Sequence, residues 1–191
     1  MTWRGGFSAL GLAGIGVLLG VLPGSAGAQH DLTSPYRQQQ STEIRGLSKQ
    51  EVDDLREGRG MGLARAADLN SYPGPRHLLD AVQASQLQLT DEQLSAVKQL
   101  FGEMSAEAKR LGDVILKEEQ ALEAGFRGGK ISEADLKDRV SRIASLQGEL
   151  RLVHLRTHLR TRALLSEHQI NLYNQLRGYL RGQTGSEQHP H

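Results

Sequence analysis

One six-residue pattern recurs four times in this chain and constrains its fold more than any other feature. The pattern is an aliphatic residue, Ser or Thr, two variable residues, an acidic residue or Gln, then a second aliphatic residue. It reads Leu47-Ser48-Lys49-Gln50-Glu51-Val52, Leu89-Thr90-Asp91-Glu92-Gln93-Leu94, Ile131-Ser132-Glu133-Ala134-Asp135-Leu136 and Leu165-Ser166-Glu167-His168-Gln169-Ile170. Each copy is a helix start with a physical cause. The hydroxyl accepts from the N3 backbone amide, a Glu or Gln at N3 reaches back to the N-cap amide, and the two aliphatics staple the turn. Asp135 is too short for that return bond, so the third copy is the weakest.

The segments after the second and third starts are long and periodic. After Thr90, the residues Leu94, Val97, Phe101, Met104, Ala108, Leu111, Ile115 and Leu122 step by three and four, with Glu118 the one break in the seam. That spacing predicts a long amphipathic helix, which Gly125 and Gly128-Gly129 should end. From Ser132 onward Leu136, Val140, Ile143, Leu146, Leu150 and Val153 predict a second long helix facing back on the first. The expected fold is therefore all-α, a long antiparallel hairpin turning at 126–130, with short flanking helices at either side.

Beyond Gly148 the second helix changes character. Leu152, Leu155 and Leu159 fall opposite the seam at about 100° per residue. Something must cover that extra stripe, either a short helix expected at 76–84 or a second copy of the chain, and the latter predicts a homodimer. The first long helix is net acidic and the segment 127–181 net basic, which favours pairing them, though exposed ion pairs contribute little each.

The ends read differently. Arg4 precedes an apolar stretch at 7–22, Pro23-Gly24 and the small-x-small triplet Ala26-Gly27-Ala28, the form of a secretory signal cut after residue 28. Left uncut, the same stretch would be a membrane anchor, and no later segment is apolar enough to span a bilayer. The expected organisation is a signal at 1–28, a flexible polar arm at 29–45 holding Gln38-Gln39-Gln40, a helical domain at 46–181 and a disordered tail at 182–191. The chain has no cysteine, which excludes disulfides and thiolate metal sites. Its formal charge is +1, and losing Arg4 with the signal balances it, which argues against bulk nucleic-acid binding.

Residues with chemistry are few. Gly58-Arg59-Gly60-Met61-Gly62 lacks the Lys-Ser/Thr and the preceding strand of a phosphate loop and reads as a plain loop. No nucleophile triad or paired-carboxylate pattern points to an enzyme. His154 and His158, spaced i, i+4, lie on one helical face within reach of one divalent transition metal, with His77, Glu103 or Glu107 as further ligands. A packing role on an Arg-rich helix is the competing reading, and no cofactor is required for either.

The starts at Leu89 to Gln93 and Leu165 to Gln169 resemble the LTxxQ signature of the periplasmic Spy/CpxP-like family, the second with Ser for Thr. Two such motifs bracketing a long hairpin behind an export signal are similar to that family's layout. The resemblance implies a periplasmic, all-α, curved homodimer. It implies an ATP-independent chaperone of unfolded envelope proteins in the envelope stress response, working alone or with a sensor protein. The alternative it implies is a sensor or buffer of nickel, cobalt, zinc or copper, for which only His77, His154 and His158 are matching candidates.

Overall fold

The computed structural model describes residues 33–42 and 44–179. The expected signal and the tail from residue 182 lie outside them. The chain divides into two units at Ser34/Pro35, and the helical fold belongs to the second. Among the described residues it is all helix: α1 (Lys49–Glu57), α2 (Arg65–Asp68), α3 (Pro75–Gln83), α4 (Asp91–Arg127), α5 (Glu133–Ala163) and α6 (Glu167–Leu176). None of these is long and apolar enough to cross a membrane.

All four predicted starts are helix N-termini. Ser48, Thr90 and Ser166 each accept from the N3 amide, while Glu51, Gln93 and Gln169 return the bond to the N-cap amide. Ser132 accepts from the Asp135 amide only, and the two side chains bond each other at 2.6 Å instead. The short Asp side chain thus makes the third cap the incomplete one.

α4 and α5 form the antiparallel hairpin and turn at Gly128–Lys130, so Gly125 lies inside the helix rather than ending it. The seam on α4 is as expected, with Val97, Ala108, Leu111 and Ile115 buried. On α5 it holds at Leu136, Ile143, Leu146, Leu150 and Val153 but not at Val140, which is 49% exposed while its neighbour Arg139 is partly buried. The reason is Glu118. Arg142 reaches it at 2.8 Å and Arg139 at 3.6 Å. The break in one seam therefore meets a break in the other, and one apolar layer is replaced by an ion-paired one.

After Val153, α5 inverts its amphipathy. The buried face consists of His154, Thr157, His158 and Thr161, while Leu152 and Leu159 stand 49% and 58% exposed. Leu155, the middle residue of the expected stripe, is partly buried, so only the two ends of the stripe are left uncovered. α3, offered as its cover, turns Leu78 inward to Leu87, Val97 and Tyr173 in a cluster with Leu79, Val82 and Leu164 around it. A polar inner face leaves the leucines no inward position.

A second cluster fills the middle of the hairpin where α1 crosses α4, joining Ile44, Val52 and Leu55 to Ala108, Leu111, Ile115, Leu116 and Leu150. The crossing depends on Gly112, since a Cβ there would collide with the Leu55 carbonyl oxygen. Ile44 is 1% exposed, and Arg37–Ser41 form a 3-10 turn. The stretch read as a flexible arm therefore carries structure and a core anchor at its C-terminal end.

Candidate functional site

The i, i+4 spacing of His154 and His158 sets both rings on the buried face of α5, at 3% and 9% exposure. His158 donates from Nδ1 to the Tyr72 carbonyl oxygen at 2.7 Å, which fixes that tautomer because a carbonyl only accepts. Its ring lies so close to Gly74 that a Cβ there would come within 2.9 Å of Cε1. His77, on α3, faces the same cleft from the other side, with its Nδ1 3.9 Å from an Asp80 oxygen. The cleft has a volume of about 510 Å³ and runs between residues 60–69, α3, α5 and the end of α6.

The electrostatics favour the neutral form of two of these rings, His154 and His77. Burial, and after it the neighbouring His158, holds the His154 imidazole below its ordinary value. Burial also lowers His77, aided by the Arg177 charge and opposed by Asp68 and Asp80. His154 Nε2 is buried with no hydrogen-bond partner among the described residues.

The three histidines share a cleft, yet no three His, Asp or Glu side chains among the described residues come together in a way that could hold a metal ion. The acids offered as further ligands are engaged elsewhere. Glu103 accepts from Gln99 at 2.8 Å and Arg160 at 3.0 Å, and Glu107 accepts from Arg110 at 2.6 Å. His168, at the second position of α6, is exposed, and His189 and His191 lie outside the described residues.

Beside the cleft sits a polar lock that sequence reasoning missed. Asp68, at the end of α2, accepts from Tyr173 at 2.9 Å and Tyr179 at 2.5 Å, and Arg177 stands 3.3 Å away. Burial alone would raise the Asp68 carboxyl. The two hydroxyls and the guanidinium more than offset that and hold it below the ordinary carboxylate value. Tyr173 is pushed up, by burial first and then by the Asp68 charge. Nearby, Asn174 donates to the Ser71 hydroxyl at 2.8 Å, and Arg162 to the Ser71 carbonyl at 2.6 Å while lying over the Tyr72 ring. These bonds tie residues 68–72 to α5 and α6 across about a hundred residues of sequence. Local patterns carry no signal for such a lock.

The two motif glutamines meet as well. Gln93 donates to the Gln169 side-chain oxygen at 3.0 Å, and Gln169 to that of Gln93 at 2.9 Å. Gln93 also donates to the Leu164 carbonyl at 2.7 Å and Gln169 to the Gln88 carbonyl at 3.0 Å. Both acceptors lie two residues before the respective N-cap, so the pair has a local two-fold pattern. The motif is thus a clasp between the starts of α4 and α6. No family model matches the chain, and neither a curated protein nor a solved structure is found similar to it.

Proposed function

We propose that this chain is a chaperone-like envelope protein of the Spy/CpxP-like kind, exported to the periplasm, which holds non-native polypeptides passively and without ATP. The observation that carries the reading is the inverted half of α5. Leu152 and Leu159 face solvent from a helix whose inner side is polar, and Arg151 and Arg156 stand exposed beside them. Exposed apolar side chains set among cations suit loose contact with unfolded segments, whose apolar and acidic side chains are both accessible. The outward leucines are held on a helix anchored along its length, so the surface is available without a conformational step.

The test is suppression of a model client's aggregation at stoichiometric amounts in the absence of ATP. A Leu152→Ser, Leu159→Ser double variant, both sites being exposed, is expected to keep its helix content and melting temperature and to lose most of the suppression. Absence of suppression by the parent chain sinks the reading. Self-association competes for the same row, and light scattering on both proteins separates the two. If the variant turns a dimer into a monomer that still holds the client, the row is a seam between copies and the client surface is elsewhere.

A further inference from the structure

The histidine cleft has the wrong sign of charge for a metal and the right one for an anion. His154 is almost wholly buried, and its Nε2 has no partner among the described residues. A buried polar atom left so is costly, and a native structure normally supplies its partner. Arg65 lines the same cleft and has no ion-pair partner among the described residues. The other guanidiniums around the three histidines are matched, Arg177 by Asp68, Arg59 by Asp54 and Arg76 by Asp80. The carboxylates there are taken up too, Glu57 by Lys109 and Asp68 by its tyrosines and Arg177. What the cleft lacks is one acceptor carrying negative charge.

We propose that this cleft binds a small oxyanion, a phosphate or carboxylate group, held by the Arg65 guanidinium and by the Nε2–H of His154. The guanidinium offers a planar fork that matches two oxygens of either group, and a charge-assisted bond of that kind is roughly twice as strong as a neutral one. Gly60 on the rim has open space where a side chain would stand, and the Arg65 guanidinium lies over Gly62, where a Cβ would come within 3.0 Å of it. His158 supports the site rather than joining it, since its Nδ1 is committed to Tyr72 and its ring is packed on Gly74. This inference is independent of client binding.

Titration calorimetry of the purified protein with pyrophosphate and with citrate, at fixed ionic strength, tests it. Nitrogen NMR of the histidine rings runs alongside. Saturable binding is expected for at least one of the two, and the tighter one identifies the phosphate or the carboxylate source. Arg65→Ala is expected to weaken binding about tenfold or more, Arg65→Lys to restore part of it, and Lys137→Ala at the hairpin tip to leave it unchanged. The Nε2 resonance of His154 should move on saturation. His154→Gln should bind more weakly, and if it does not fold, the exposed Arg65 variant and the resonance decide. Neither anion binding saturably, Arg65→Ala binding as tightly as the parent, a still His154 resonance, or nickel or zinc binding at His154 in place of both anions each overturns the proposal.

Discussion

Gln93 and Gln169 each perform two tasks with one amide. The oxygen caps its own helix, accepting from Thr90 or Ser166, while the nitrogen reaches across to the other motif. Truncating either one removes both tasks, at a cost of roughly 1–3 kcal/mol for the bonds and the partner left unmatched. The tasks are shared, so the costs should not add. Urea denaturation of Gln93→Ala, Gln169→Ala and the double variant is expected to give a coupling of about 1 kcal/mol. Additive losses would mean the contact contributes nothing beyond the caps. His154 predicts a pH effect of definite sign. Its folded value lies below the unfolded imidazole value, so the unfolded chain binds more protons in between. Its contribution is fully present above about pH 6.5 and is lost as pH falls toward the folded value. The urea midpoint should drop between pH 7 and 5.5, and His154→Gln should flatten that slope. Asp68, shifted below its ordinary value, loses its contribution only in a lower window, as pH falls from about 4 through its folded value.

At the scale of the helices, two glycines make opposite predictions. Gly112 admits the α1 backbone against α4, so Gly112→Ala drives a methyl into the Leu55 carbonyl and should cost roughly 1–3 kcal/mol or more. Gly148 has nothing within 4 Å of the same position, and Gly148→Ala should stabilise α5 by about 0.5–1 kcal/mol. Thermal melts of the two variants check both signs. Neither role shows in the letters, where both are glycines inside an otherwise regular helix. The helix starts were legible because capping is local, written within six residues, and the hairpin was legible because its seam repeats. Arg139 in the seam was not, since it makes sense only opposite Glu118. Nor was the inversion of α5. An apolar stripe and a His/Thr stripe on opposite faces do not say which one the rest of the chain covers. The histidine pair was found by spacing alone, but the cleft's charge balance came from Arg65, Asp68 and Arg177, which share no pattern.

At the scale of the molecule, two apolar clusters sit at different levels of one hairpin. α2 buries no residue in either and is held by the polar lock around Asp68. Polar ties to solvent-accessible segments open before packed cores do. Hydrogen exchange should therefore be fastest at residues 60–72 and slowest at residues 108–116 and 143–150. Tyr173→Phe should speed the first group while leaving the second nearly unchanged. Uniform protection across all three segments would mean that the lock and the cores open as one unit.

The clasp between the two glutamines also makes the hairpin a ring. Its covalent part runs up α4, over the glycine turn and back down α5, and its last link is the amide exchange that joins the two starts. A ring tolerates one cut. A chain nicked at Gly128–Gly129 retains the clasp and both cores, so its halves should stay together as a non-covalent pair, and a permuted chain could begin there. Opening the ring at the clasp instead loosens only the start of α6, because Tyr173 stays packed in its cluster and bonded to Asp68.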